Sequence, residues 1–348
     1  MTVPPQTPPA VDISVIVPVH NNPDDLRLCL TALRVAATAE CEILVVDDAS
    51  TDATAAVPLG MGIPLVRLHE NSGPAAARNR GAARARGDIL FFVDADIAVA
   101  PDAIERVRRF FAAHPGYAAV FGSYDARPAC GRMVSRYRNL LHHFVHQHGR
   151  AEASTFWAGC GAIRRAVFHE VGGFDTDRFP RASIEDIELG YRLRAARHPI
   201  RLDRGLQGTH LKRWTLGSII RTDVTRRALP WARLIFETGR APDDLNLTAA
   251  QRVSTGLVGL AVASAVLSVL RPALLAVTFV AVGMVGILNR SLYAFFWRQG
   301  GIRFGALCMA LHCLYHLCSG LAYVYVALEH ATRSAALVVH KRFRIGTR

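Results

Sequence analysis

Between residues 12 and 102, short apolar runs alternate with helix-forming stretches, and this alternation restricts the fold more than any other feature of the chain. ISVIVPV (13–19) leads to a helix opening near Asn22-Pro23, and EILVVD (42–47) leads to the polar turn DASTDAT. IPLVRL (63–68) passes through a Gly73-Pro74 break into the helical AAARNRGAARARG. A fourth run, ILFFV (89–93), has the continuous apolar, β-branched and aromatic character of a strand buried on both faces. A helix launched by Pro101-Asp102 comes next. Alternation of this kind, with Pro or Asn at helix starts, predicts an α/β fold on a parallel sheet. In such an open sheet, ligands bind at the carboxyl ends of the strands. Asp47, Asp48, Asp94 and Asp96 all sit at such ends.

Asp94 and Asp96, one residue apart where ILFFV runs out, are a hard-oxygen pair suited to Mg2+ or Mn2+ on a diphosphate. On its own, Asp-x-Asp is a weak signal and fits a solvated strand end better. At 348 residues the chain has room for one sizeable domain and an appendage. Its net charge of +13 is unevenly spread: after Asp244 the only acid is Glu329, against ten Lys or Arg. That basic stretch is also the apolar one, which points to anionic lipid rather than nucleic acid. Nothing resembles a nucleic-acid motif, so no nucleic-acid partner is expected.

The seven cysteines show no CxxC and no paired spacing, as expected of reduced cytosolic thiols. Residues 1–11 read as a disordered, Pro-rich leader without the basic region or apolar core of a signal peptide, which places the domain after it in the cytosol.

Residues 117–210 are less regular, with strand-like YAAVFGSYDA, the Gly-rich WAGCGAIRRAVFHEVGGFD (157–175) and a helical ASIEDIELGYRLRAA (182–196). Residues 211–245 mix Trp, Ile and Leu with basic side chains, the composition of amphipathic helices lying in a membrane interface. Residues 246–330 read as transmembrane helices making 2–3 crossings. The segments 253–270, 273–288 and 305–328 carry no Lys, Arg, Asp or Glu, and Arg271-Pro272 suggests a tight hairpin. Only the last segment clearly reaches the ~20 residues of a span. Residues 331–348 form a basic tail (Arg333, Lys341, Arg342, Arg344, Arg348), balanced by Arg290, Arg298 and Arg303 across the last segment. The positive-inside rule therefore leaves the topology open.

Five ordered clusters carry a resemblance: PVHNN (18–22), VVDDASTD (45–52), NSGPAAARNRG (71–81), VDAD (93–96) and EDIELGYRL (185–193). Over roughly residues 12–215 they resemble the inverting glycosyltransferases of family 2, which have the GT-A fold. The resemblance implies a Rossmann-like nucleotide-diphospho-sugar transferase domain over 12–210, followed by the C-terminal transmembrane helices. It implies that Pro18, Asp47 and Asp48 cradle the nucleoside, with Asp48 accepting from a base imide N–H. Arg78 would lie against base and diphosphate, and Asp94 near the ribose and sugar. Asp96 would ligate Mg2+ or Mn2+, joined by Asp94 and His210. Asp186 would be the general base, on the face opposite the leaving diphosphate, with Glu185 in support.

Bland readings stand beside these. Asp48 could cap the next helix, Arg78 could be a solvated helix arginine, and Asp186 could be a helix-start carboxylate favoured by the dipole. Glu188 and Arg192 read as an ordinary surface i,i+4 pair.

HLKRW (210–214) echoes the Gln-x-x-Arg-Trp motif of processive polysaccharide synthases, but His210 replaces Gln, which argues against processivity. Trp214 could stack on a sugar or anchor an interfacial helix. Gly159, Cys160 and Gly161 match an acceptor-site segment of the family, with Trp157 a candidate acceptor platform. His142 and His146, like His312 and His316, stand at i,i+4; packing is expected for both pairs, the second as a polar stripe facing neighbouring helices.

The expectation is thus a metal-dependent inverting glycosyltransferase, multi-pass in the cytoplasmic (inner) membrane, with its catalytic domain facing the cytosol. Its partners would be a nucleotide-sugar donor (a UDP-sugar by resemblance), a hydroxyl-bearing sugar or lipid-linked acceptor, and membrane lipids. The alternatives are a processive polysaccharide synthase or a polyprenyl-phosphate glycosyltransferase.

Overall fold

The computed structural model describes residues 11–345, with side chains as far as Arg333. The leader expected over 1–11 lies, but for its last residue, outside the described residues, as does Arg348. The chain divides into two compact units, Met1–Arg213 and Trp214–Arg348.

The first unit runs β1 (Ile13–Val19), α1 (Pro23–Ala36), β2 (Cys41–Asp47), α2 (Ala56–Gly60), β3 (Leu65–Arg67), α3 (Gly73–Ala82), β4 (Ile89–Val93) and β5 (Ile97–Val99). It continues with α4 (Ala103–Ala113), β6 (Ala119–Tyr124), α5 (Met133–His148), β7 (Glu152–Ala153), β8 (Cys160–Arg164), α6 (Arg165–Glu170), α7 (Glu185–Ala195) and β9 (Ile200–His210). Every residue of β1 and β4 is buried, as their sequences, apolar but for Ser14, lead one to expect. α1 starts on Pro23, carries Asp24 and Asp25 in its first turn, and buries Leu26, Cys29, Leu30 and Leu33 along one stripe. Those residues pack with Val15, Val17, Phe91, Val93, Ile104 and Val107 in one core. Each such large side chain contributes about 1.5–3 kcal/mol by leaving water.

The sheet order is β3-β2-β1-β4-β8-β6-β9-β5, with β7 on β9. β3, β2, β1 and β4 are parallel, as the alternation predicts. Beyond them the expectation gives way to a mixed sheet, because β8 runs antiparallel to both β4 and β6, and β5 antiparallel to β9. The physical reason lies in the connections: β8 follows β6 through the long α5 excursion rather than a βα crossover, and enters from the opposite end. Asp94, Ala95 and Asp96 form the turn by which the chain leaves β4 in mid-sheet for β5 at the edge, closed by the Ile97 N–H donating to the Asp94 carbonyl at 3.0 Å. The two carboxylates therefore stand where the chain passes from β4 to β5.

The second unit begins with α8 (Leu216–Arg221), opened by a Thr215–Ser218 capping box. A π-helical turn (Thr222–Ala228) and α9 (Leu229–Thr238) continue it, ending at Gly239 with φ 63°. α10 (Ala249–Leu267), α11 (Leu274–Leu288) and α12 (Arg290–Ile345) come after them, the last broken at Gly300-Gly301. Among the described residues two of these helices, α10 and α12, are long and apolar enough to cross a membrane by length and composition; α11, at 15 residues, is shorter.

Polar side chains meet inside this unit. Asn289 donates to Ser254 Oγ at 2.9 Å, His316 Nδ1 lies 2.9 Å from Thr255 Oγ1, and His312 Nδ1 lies 3.1 Å from the Tyr293 hydroxyl. The second histidine pair is thus the expected inter-helix polar stripe.

Candidate active site

The ends of β1 and β2 interlock. Asn21 (φ 49°) and Ala49 (φ 56°) turn the chain left-handed just past the two strands. The Asn21 N–H donates to Ser50 Oγ, and Asn21 Oδ1 accepts from the Thr51 N–H. Asp47 has no exposed surface; its Oδ1 accepts from the Ser50 N–H at 2.9 Å and its Oδ2 lies 3.2 Å from Arg67 Nε. Asp48 is gripped as firmly: its two oxygens accept from the Ser72 and Gly73 N–H groups, both at 2.8 Å. Gly73 is required there, with φ 85° and Pro180 O only 2.5 Å from where a Cβ would stand.

These contacts correct the expectation for the nucleoside-binding residues. Pro18 and Asp47 are buried in the sheet and present no face to a ligand. Asp48 ties down the start of α3 rather than capping the next helix in the chain, both its oxygens accepting from backbone donors at Ser72 and Gly73.

Arg78 is corrected too. Its guanidinium is neither solvated nor open to a donor; it is buried and forked between two carboxylates. Nη2 donates to Asp94 Oδ1 at 2.7 Å and Nη1 to Glu185 Oε1 at 2.9 Å, with the Phe174 ring 5.4 Å away. Glu185 Oε2 accepts from the Ser183 N–H, so this side chain faces the scaffold and not a substrate. Asp94 Oδ1 is thereby engaged by Arg78, while the side chain keeps part of its surface exposed. The Glu188–Arg192 pair is likewise no surface pair: Glu188 is buried, and Arg192 grips it at 2.8 and 2.7 Å while also donating to the Gly173 carbonyl.

Asp96 faces the other way. Antiparallel pairing of β5 with β9 sets Ile97 opposite His210, and the Leu211 N–H donates to the Asp96 carbonyl at 2.8 Å. His210 Nε2 stands 3.8 Å, and Lys212 Nζ 3.9 Å, from Asp96 Oδ2. Burial pushes the Asp96 carboxyl up, but the His210 ring and the Lys212 ammonium outweigh it and hold the group below the usual carboxylate range. Among the described residues no group of three His, Cys, Asp or Glu side chains is placed to hold a metal ion. The pair that fits one is Asp96 and His210. A hard carboxylate oxygen and an imidazole suit Mn2+, and such ions are commonly completed by substrate phosphates and water.

The His210 ring lies against Tyr124, with centroids 4.2 Å apart and 12° between planes. Tyr124 in turn lies tilted against His142 at 4.2 Å, and Trp157 sets its edge against Tyr124 at 5.0 Å. The first histidine pair therefore belongs to an aromatic wall behind His210, and His146 Nδ1 is 2.8 Å from the Gly122 carbonyl. The sequence reasoning missed Tyr124 and Lys212. The strand-end rule that singled out Asp94 could have found Tyr124, which closes β6.

The 157–159 loop joins the two sides. The Ala158 N–H donates to Asp186 Oδ2 at 3.1 Å, and the Gly159 carbonyl accepts from the Asp94 N–H at 3.0 Å. Gly159 makes room for the Trp157 indole, whose ring would lie 2.6 Å from a Cβ. Its small size thus serves packing against that ring. Burial, and then the neighbouring Glu185 charge, push the Asp186 carboxyl up to about 7, against the opposing pull of Arg78 and the Ala158 N–H. Trp214 is buried in the second unit.

A family model described as Glycosyl transferase family 2 matches residues 14–172. A pre-mycofactocin glycosyltransferase of Mycobacterium tuberculosis is 30% identical over 227 residues, covering 61% of this chain and 46% of that protein. A validoxylamine A glucosyltransferase of Streptomyces hygroscopicus subsp. jinggangensis is 31% identical over 239 residues, covering 57% and 56%. The chain spans about half the length of these curated relatives. A mannosyltransferase from Pyrobaculum calidifontis, solved in complex with GDP-Man and Mn2+, aligns with a TM-score of 0.56 at 17% identity over 91% of this chain and 88% of that one. At that identity the likeness shows a shared fold, the mixed α/β GT-A type.

Proposed function

We propose, on the premise that residues 14–172 match the model of glycosyl transferase family 2, that the protein transfers a sugar, with inversion, from a nucleoside diphosphate sugar to a hydroxyl of a sugar or lipid-linked acceptor. One observation carries the mechanism: two differently tuned carboxylates, Asp96 and Asp186, are linked through the Asp94 turn and the 157–159 loop. Asp186, raised to about 7, is poised to take a proton near neutral pH. The Ala158 N–H holds its Oδ2, and the acceptor hydroxyl loses its proton to this carboxylate as its oxygen attacks the anomeric carbon.

Asp96 and His210 would hold a Mg2+ or Mn2+ ion, which when bound neutralises the leaving diphosphate as a Lewis acid. Lys212, beside Asp96, adds a positive charge on that side. Trp157, half-buried beside the Asp186 loop, is the acceptor platform we favour. A uridine nucleotide is the proposed donor class, on the family resemblance of the five motifs.

We further propose that the second unit is a membrane anchor, with its apolar helices crossing the bilayer and the 211–245 region at the interface, and with the catalytic unit facing the cytosol. The composition of α10 and α12 and the single acid among ten basic residues after Asp244 support this reading.

The test is a screen of nucleotide sugars for Mn2+-dependent hydrolysis by the purified full chain. Hydrolysis of one donor, lost in Asp96→Ala, supports the assignment. Metal-independent turnover untouched by that substitution contradicts it.

A further inference from the structure

Arg78 is a buried arginine paired with two carboxylates, yet the chemistry proposed above asks nothing of it directly. Its fork joins three elements: α3, which bears it; the end of β4, through Asp94; and the first turn of α7, through Glu185. The Arg78–Glu185 arm is shielded from water, each side chain being 6% exposed, while the Asp94 side chain is 33% exposed. Asp186 follows Glu185 directly, so the two side chains diverge by about 100° around the helix. Charges so placed act on one another through protein rather than solvent, where their effect is large.

We infer that Glu185 and Arg78 are positioning residues that set the proton affinity of Asp186: Glu185 as a fixed negative charge beside the base, Arg78 as the counter-charge that limits it and ties α7 to the donor-side strand. The inference rests on Asp186 as the base. The charged groups facing Asp186 are Glu185 on its own helix, Arg78 from α3 and Asp94 from the end of β4, with the Ala158 N–H opposite. Glu185 and Asp94 act upward and Arg78 downward. A purely structural arginine would also hold α7 to the sheet, but substitutions around it would not move the base in a direction set by the sign of the charge removed.

The experiment is the pH dependence of kcat/KM for Mn2+-supported donor hydrolysis by the full chain at saturating Mn2+. The wild type should lose activity as pH falls through about 7, where Asp186 takes up its proton. Glu185→Gln should move that acid limb down by about one unit, as removal of a near charge does. Glu185→Asp, which keeps the charge, should leave the limb in place. Should Glu185→Gln fail to fold, Arg78→Gln tests the same coupling with the opposite sign and moves the limb up. A Glu185→Gln enzyme with reduced activity but an unmoved limb overturns the inference while Asp186 stands. An Asp186→Asn enzyme that keeps both activity and limb overturns the base assignment and the inference with it.

Discussion

Asp94 and Asp96 leave the same strand two residues apart and meet opposite surroundings. On the Asp94 side every partner is buried and fixed: Arg78 bridges it to Glu185, and Phe174 covers the guanidinium. On the Asp96 side the partners are looser, with His210 at 3.8 Å and a half-exposed Lys212 at 3.9 Å. The contrast separates two tasks. A base must be held and tuned before substrate arrives, which calls for dry, closed contacts; a site for a hydrated cation and a diphosphate must leave coordination positions open. One turn of chain, pinned by the Gly159 carbonyl, keeps the two tasks apart.

The largest effect that would sharpen this contrast falls on the closed side. Asp186→Asn should lower turnover by about 10²–10⁴-fold, the usual contribution of a general base, while nucleotide affinity stays as in the wild type. Steady-state rates alongside calorimetric binding check it, and a parallel loss of both would merge the two sides into one.

A smaller effect belongs to the wall behind His210. Tyr124→Leu removes the ring stacked on the imidazole, and Mn2+ affinity should fall about tenfold, the lower end of what outer-shell partners contribute. Tyr124→Phe keeps the ring and should bind Mn2+ as the wild type does, which Mn2+ titration by electron paramagnetic resonance would read. The smallest effect is at Lys212. An exposed ion pair contributes roughly 0.2–1 kcal/mol, so Lys212→Met should weaken nucleoside diphosphate binding by no more than about fivefold. A much larger loss would show that side of the site to be as closed as the other.

The parallel half of the sheet was legible because β1 and β4 are largely apolar and buried on both faces, because β2 is apolar over 43–46, and because Pro23 and Pro74 mark helix starts. The antiparallel half was not. β8 reads Cys-Gly-Ala-Ile-Arg, too small and too mixed to look like a central strand, and β5 has three residues. The strand-end carboxylates could be placed on the binding edge from sequence, but their partners could not. His210 reaches Asp96 only through the β5–β9 pairing, and Arg78 meets Glu185 across 107 residues. An arginine in AAARNRG looks solvated until the fold closes over it. Likewise, i,i+4 spacing foretold the Glu188–Arg192 pair but not its burial, which depends on the 171–173 turn packed over it.

The central claim is the division of labour between the two sides, and Mn2+-dependent binding tests it most directly. Calorimetry would measure, with and without Mn2+, the affinity of the nucleoside diphosphate selected by the donor screen for the full chain, Asp96→Ala and Asp186→Asn. The account predicts that Mn2+ strengthens binding to the wild type and to Asp186→Asn alike, and that Asp96→Ala loses this gain. Equal Mn2+ dependence in all three proteins would contradict it.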